Sequence, residues 1–396
     1  VKHILVIDGF IPLHLKLKEL GARLTIICEV NRLGSKYPNL YDRKIQLPDN
    51  YSIEEAITIA TAIHEVDPFF AIVDSHEKRQ FTTAKVAESL NIVYHRPESI
   101  ETIYNKNQMR KLLNSKGIDN IRGFIINSEE ELINAMKTSN RSFIVKPVDG
   151  WASQGIKTID SLEDYQQSKN QFVYPLYAEE KIIGTEYSVE GFSQNGKHHI
   201  ISITQKFIDE KSHVEIGHLV SPSGQYEQQE SIEKFVMKVL DAIGLKDGPS
   251  HTEIMIENNA DIHVIETHCR LGGDNIHELV RHATGIDMLM LWARHVLGER
   301  NLDWSQMTNL NLAAAIWYIY LDQNGIINYL PEVDKKSLSD KTLDVCFIKS
   351  IGDHIQGLEN SFSRIGYVIC RAKDGKEALI EAQKQAMELS KVITIE

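Results

Sequence analysis

The chain has 396 residues, 42% of them hydrophobic, with 55 acidic against 43 basic side chains and a formal net charge of -12. That length exceeds one ordinary core and predicts two or three domains. The acidic balance, with no basic run interleaved with aromatics, excludes a nucleic-acid groove, and no apolar stretch approaches the ~18 residues of a membrane-spanning helix. Cys28, Cys269, Cys346 and Cys370 stand far apart without a Cys-x-x-Cys pair, which predicts reduced thiols and no zinc set. The chain enters its first strand without a charged and then apolar leader, so the expectation is a soluble, cytoplasmic protein.

Short apolar runs alternate with helical patterns from the start: a strand at Ile4–Ile7, a helix over Leu13–Leu20, a strand at Leu24–Cys28, then Ala71–Val73 and a helix over Thr82–Leu90. That rhythm predicts a parallel sheet wrapped by helices, ending near residue 100. The first strand turn, Asp8-Gly9-Phe10-Ile11-Pro12, lacks Gly-x-Gly-x-x-Gly, so the sheet need not bind a dinucleotide. Asp74-Ser75-His76-Glu77 follows a strand end, the usual place for a ligand-facing loop in an open sheet. A carboxylate at a helix start would equally explain Glu77.

After Pro97 the pattern predicts a helix over Ile103–Ser115, then mixed strands and helices to about residue 300, where Gly298-Glu299-Arg300-Asn301 closes an amphipathic helix. The remainder reads as strands around turns at Gln323-Asn324-Gly325 and Lys373-Asp374-Gly375, with a helix over Lys376–Leu389. The expected domains are 1–100, 101–300 and 301–396.

Four segments carry the chemistry. The strand Phe143-Ile144-Val145 reaches Lys146-Pro147 and breaks into Val148-Asp149-Gly150-Trp151-Ala152-Ser153-Gln154-Gly155-Ile156. A lysine beside a glycine-bearing loop suits a triphosphate, because glycines let backbone N–H groups approach phosphate oxygens, although the same composition occurs in plain surface turns. Downstream come Tyr177-Ala178-Glu179-Glu180-Lys181-Ile182-Ile183-Gly184-Thr185-Glu186, then His251-Thr252-Glu253-Ile254, then Val264-Ile265-Glu266-Thr267-His268-Cys269-Arg270-Leu271-Gly272-Gly273. Strands His251–Ile256 and Ile262–Glu266, joined by Asn258-Asn259-Ala260-Asp261, form a hairpin that brings Glu253 and Glu266 together. Paired carboxylates repel unless a cation bridges them, and magnesium prefers oxygen ligands.

In order and spacing these segments resemble the ATP-grasp carboxylate-amine ligases, and among them the L-amino acid ligases that make dipeptides. The resemblance is clear from about residue 70 to about 300 and fainter elsewhere. It implies an α/β protein, α+β in its central part: an ATP-grasp fold with an N-terminal Rossmann-like open sheet and a smaller C-terminal α+β domain. It implies ATP and Mg2+, with Mn2+ able to substitute, and small-molecule amino acid substrates, with neither nucleic acid nor membrane as partner. Family members are often homodimers, of which the chain carries no independent sign.

Residue by residue, the resemblance puts Lys106 and Lys146 on the nucleotide phosphates with Ser153 and Gly155. Glu179, Glu180 and Ile182 fall in the adenine connector, with Glu186 on the ribose hydroxyls. Glu253, Glu266 and Glu215 fall at the metal. Arg270 and Gly273, with Asp274, Glu77 and His218, face the substrates, and Arg270, Lys146 and His218 take catalytic roles. A helix N-terminus and an arginine fork both favour anions, which suits Arg270 to a substrate carboxylate. Asp274 reads as a helix cap, or as a partner for a substrate ammonium or a cationic substrate side chain. Strict alternation along His213-Val214-Glu215-Ile216-Gly217-His218 puts Glu215 and His218 on opposite faces unless Gly217 breaks the strand.

One departure stands out. The family commonly has Glu-x-Asn-x-Arg, whereas here His268 replaces the asparagine, and imidazole is a poor magnesium ligand. The expected activity is ATP-dependent joining of two L-amino acids through an acyl phosphate. The alternatives are ligation of another carboxylate and amine, in a purine pathway or natural-product tailoring, or a silent ATP-binding subunit. No Gly-x-Ser-x-Gly elbow supports a serine nucleophile.

Overall fold

The computed structural model describes residues 1–30, 37, 39–148, 157–222, 224–226, 228–300, 304, 310–333 and 338–396. Four parallel strands build the first layer, in spatial order Arg43–Leu47, Arg23–Glu29, His3–Ile7 and Ala71–Val73. His3–Ile7 is buried on both faces, as expected of a parallel sheet covered by helices. Ile4 and Val6 pack toward Leu13 and Leu17 of the helix Ile11–Glu19, while Leu5 and Ile7 pack toward Ala56 and Ala60 of the helix Ile53–Val66. Ser52 and Glu55 start the second helix with a reciprocal cap. The Rossmann-like open sheet expected for residues 1–100 is therefore present.

The single helix expected over Ile103–Ser115 is two, Pro97–Tyr104 and Lys106–Ser115. Asn105 turns to φ -90°, ψ 94°, and its side chain accepts from the Gln108 N–H at 3.0 Å. An asparagine that can cap a new helix competes with continuing the old one. The break makes Lys106 the first residue of the second helix.

Two antiparallel sheets follow. The smaller runs Gly123–Ile126, Leu176–Glu180, Phe143–Pro147, Lys157–Ile159. It closes its own core with Leu132 and Tyr165 from its two helices, Glu129–Lys137 and Leu162–Ser168. The larger has eight strands in the order Ile262–His268, Gly248–Glu257, Gly184–Gln194, Lys197–Ile208, Glu215–Val220, Ala313–Ile319, Gly366–Ala372, Thr342–Phe347. Its ladder crosses residue 300 without interruption, since Glu215–Val220 pairs with Ala313–Ile319. The C-terminal segment extends this sheet and adds a three-stranded sheet and the helix Gly375–Val392, capped by Asp374.

Helices Ile276–Thr284 and Met288–Val296 lie between the first sheet and the large one. Leu279, Val280 and Trp292 share one core with Leu13 and Leu17 on one side and Ala314 and Ile316 on the other. The chain leaves the second helix at Gly298, whose φ of +87° suits glycine, as the sequence predicts. Among the described residues no helix is long and apolar enough to cross a membrane.

Candidate functional site

Lysines open the site. Lys146, next to last in the strand Phe143–Pro147 of the small sheet, and Lys106, at the head of its helix, come together from positions forty residues apart. Lys106 Nζ also reaches Glu266 Oε2 of the large sheet at 3.2 Å. Lys146 lies 5.2 Å from the centre of the Tyr177 ring, and none of the described carboxylates forms an ion pair with it. Burial, then the neighbouring Lys106, brings its ammonium down to about 8. Two crowded ammonium groups with one carboxylate between them form a receptor for an anion, which fits the phosphates expected there. Ser153 and Gly155 lie outside the described residues.

A third lysine, which no motif announced, occupies the centre of the large sheet. Lys206, 2% exposed in its side chain, bonds Glu186 at 2.5 Å, Glu253 at 2.8 Å and Glu215 at 3.1 Å. The three partners come from three different strands, so only cross-strand register reveals the cluster. The three carboxylates hold its ammonium charged despite burial.

Glu215 reaches this cluster because the ladder slips. Phe207 pairs with Gly217, but Ile208 pairs with Glu215, leaving Ile216 as the extra residue of a bulge. The bulge returns Glu215 to the face of Lys206 and of its cross-strand partner His218. The expectation of opposite faces is thus overturned, and the interruption lies at Ile216 instead of Gly217.

The predicted hairpin is present, with Glu253 directly opposite Glu266. Each carboxylate has a histidine and a lysine. His251 Nε2 lies 3.2 Å from Glu253, and His268 Nε2 lies 3.0 Å from Glu266. His251 also meets the buried Glu190 at 2.7 Å; burial works against its charge, yet Glu190 and Glu253 together raise it to about 9. These oxygens suit a hard divalent cation, and Lys106 and Lys206 already show that the cluster accommodates positive charge. The ligand trio is not pre-assembled. Among the described residues the only His, Cys, Asp or Glu set with ligand atoms within 4.8 Å of one another is Glu257, Asp261 and His263, at the far end of the hairpin. There Arg141 grips Glu257 and Asp119 grips His263.

Glu179 and Glu180 are not a solvated pair. Glu179 accepts from Arg110 at 3.0 Å and Tyr177 at 2.8 Å, and Glu180 accepts from Arg122 and Ser139. Their strand then passes through the connector 181–183, which contains Ile182, into Gly184–Gln194.

Arg270 and Glu77, 193 residues apart, meet at 2.8 Å, with Arg270 also donating to the Leu271 carbonyl. A Cβ on Gly272 would come within 2.8 Å of His251 Nδ1, whereas one on Gly273 would meet open space. Asp274 does not cap the helix. Its φ is +53°, Asn275 takes the capping position, and its carboxylate instead accepts from Arg364 at 2.7 and 2.8 Å and lies 3.0 Å from His218 Nε2. Arg364, from the turn before Gly366–Ala372, is a second residue with no sequence signature. Cys269, beside Arg270, is fully buried and its thiol is pushed up to about 12 by that burial, which suits packing better than nucleophilic attack.

Two antiparallel sheets, the smaller contributing Lys146 and the larger Lys206 with the paired carboxylates, make up the ATP-grasp architecture expected from the sequence. The comparisons agree. Residues 139–278 match the ATP-grasp domain, and residues 317–394 match the L-amino acid ligase C-terminal domain 2. The first match takes in Lys146, Glu253 and Glu266, and the second lies wholly within the C-terminal segment.

A protein named alanine–anticapsin ligase from Bacillus subtilis (strain 168) is 25% identical over 271 residues, covering 62% of this chain and 56% of the relative. The matched region thus spans just over half the length of that curated relative. The crystal structure of L-amino acid ligase from Bacillus licheniformis superposes with a TM-score of 0.82 at 21% identity, covering 100% of this chain and 98% of the other. A biotin carboxylase domain of the Hydrogenobacter thermophilus 2-oxoglutarate carboxylase, solved with MgADP, gives a TM-score of 0.72 at 18% identity, covering 100% and 90%. Likeness at these identities establishes the fold, in agreement with the fold class expected from sequence.

Proposed function

We propose that the protein joins two L-amino acids at the expense of ATP, giving a dipeptide, ADP and phosphate, and that the reaction passes through an acyl phosphate. The observation that carries this reading is the meeting of Arg270 with Glu77 beside the lysine and carboxylate cluster. A guanidinium and a carboxylate side by side match the carboxylate and ammonium of an amino acid. The L-amino acid ligase type of C-terminal domain supports the same substrate class.

In this mechanism Lys106 and Lys146 hold the ATP phosphates, a role the sequence resemblance also gives to Ser153 and Gly155. The strand end at Glu179 and Glu180 and the connector residue Ile182 take the adenine, and Glu186 takes the ribose. Glu253 and Glu266, with Glu215, would hold Mg2+ or Mn2+, which supplies charge neutralisation at the phosphates. Arg270 orients the first amino acid's carboxylate, with Gly273 leaving room beside it. A carboxylate oxygen attacks the terminal phosphorus, the bond to ADP breaks, and an acyl phosphate results. The amine of the second amino acid then attacks the carbonyl carbon, the carbon–oxygen bond to phosphate breaks, and the amine proton is lost. Arg270 and Lys206 stabilise the charge that grows at the tetrahedral carbon and the leaving phosphate. In this reading His218, whose Nδ1 has no partner and whose Nε2 lies 3.0 Å from Asp274, takes up the proton.

Arg270→Ala is expected to cut dipeptide formation by at least ~100-fold while ADP affinity, read by calorimetry, stays within about threefold. A variant at Arg270 that ligates at the parent rate removes its assigned role.

A further inference from the structure

Asp274 is held at four points. Arg364 grips its carboxylate with both terminal nitrogens at 2.7 and 2.8 Å, His218 Nε2 lies at 3.0 Å, and the Tyr318 hydroxyl donates to its backbone carbonyl at 3.1 Å. The Arg364 guanidinium lies 3.9 Å from the Tyr318 ring centre, and its Nε donates to the Ser361 carbonyl at 2.9 Å. Planar, bidentate and stacked, this arginine sits where a lysine could not make the same contacts. Its side chain is 7% exposed, against 23% for Asp274, so a ligand at this corner meets the aspartate edge and not the arginine.

The corner lies beside the reaction centre. His218 stands opposite Lys206 in the ladder, and Ser361, in the turn that carries Arg364, lies 3.5 Å from Glu215, itself a Lys206 partner. Arg270 is four residues before Asp274 on the same glycine turn. The titratable and charged groups facing Asp274 are therefore His218 and Arg364, with Glu215 one side chain further off.

We propose that Arg364 is a specificity-determining positioning residue. By closing a complete ion pair with Asp274, it makes this wall of the amino acid pocket neutral, so that the pocket takes uncharged side chains and rejects basic ones. The proposal rests on the amino acid ligase reading above. Without Arg364 the Asp274 carboxylate would stand unmatched and attract a lysine or arginine side chain; without Asp274 the guanidinium would attract an acidic one.

The test is calorimetric binding of leucine, lysine and glutamate to the whole protein with Mg2+ and ADP present, with kcat/KM measured alongside for each. Arg364→Gln is expected to shift preference toward lysine over leucine by about tenfold or more, and Asp274→Asn toward glutamate by a similar factor. The double variant returns to the parent order of preference, and Arg364→Lys keeps the preference for leucine. Opposite shifts in the two single variants cannot come from general loosening of the fold. Parallel loss of all three amino acids in both, or unchanged preference in Asp274→Asn, overturns the proposal. Asp274→Asn preserves shape, so it decides the matter even where Arg364→Gln does not fold. A parent protein that binds none of the three overturns this assignment, whereas the ligase reading itself stands or falls separately, on phosphate release across the full set of amino acids and their pairs.

Discussion

Lys146 has a consequence for pH. Its ammonium, lowered to about 8 by burial and by Lys106, is charged at neutral pH and loses its proton as pH rises through that value. Phosphate attraction should weaken with it, so ATP affinity of the free protein is expected to fall between about pH 7 and pH 9. Lys146→Gln should remove that step while lowering affinity throughout, as nucleotide titrations at each pH would show. A parent affinity that is flat across this range contradicts the assignment. Lys106, Lys146, Glu253, Glu266 and Arg270 were legible because each sits in a run whose order matches a family pattern. Lys206 and Arg364 were not, because neither has a local signature: one depends on three carboxylates from three strands, the other on a glycine turn 90 residues away. Asp274 misled for a related reason, since a residue before a helix is a natural cap until an arginine from elsewhere claims its carboxylate.

At the scale of elements, Arg110 ties three of them together. From the helix Lys106–Ser115 it bonds Asp119 at 2.7 Å, Glu179 of the small sheet at 3.0 Å and the Val264 carbonyl of the large sheet at 2.7 Å, with a side chain 1% exposed. Removing one partner of a buried charge network leaves the others uncompensated. Arg110→Ala should therefore cost about 3–5 kcal/mol in urea unfolding, whereas a change under about 1 kcal/mol would contradict the network's role. The elements themselves were largely readable. The hairpin carrying Glu253 and Glu266 followed from its turn residues, and the first sheet from its alternation of apolar runs with helical patterns. The break at Asn105 and the bulge at Ile216 were not, because a capping asparagine and a one-residue slip both depend on what the neighbouring backbone does. That bulge matters most, because it moves Glu215 to the Lys206 side of the sheet.

Across the whole molecule, the site is assembled from every part of the chain. Glu77 comes from the loop after the parallel sheet, Lys146 from the small sheet, Lys206 and the paired glutamates from the large one, and Arg364 from the C-terminal segment. The expected division at residue 300 describes the order of sequence segments, while the eight-stranded ladder joins both sides of it in one sheet. Such a centre suits chemistry that needs positioning and charge neutralisation more than a covalent nucleophile. The most direct measurement is phosphate release from ATP and Mg2+ across single L-amino acids and all their pairs, with mass spectrometry of each mixture. Release that requires a particular pair, with a product whose mass is the sum of the two less water, is the expected result. Silence across the whole panel, in a protein that binds ATP, would contradict amino acid ligation as its function.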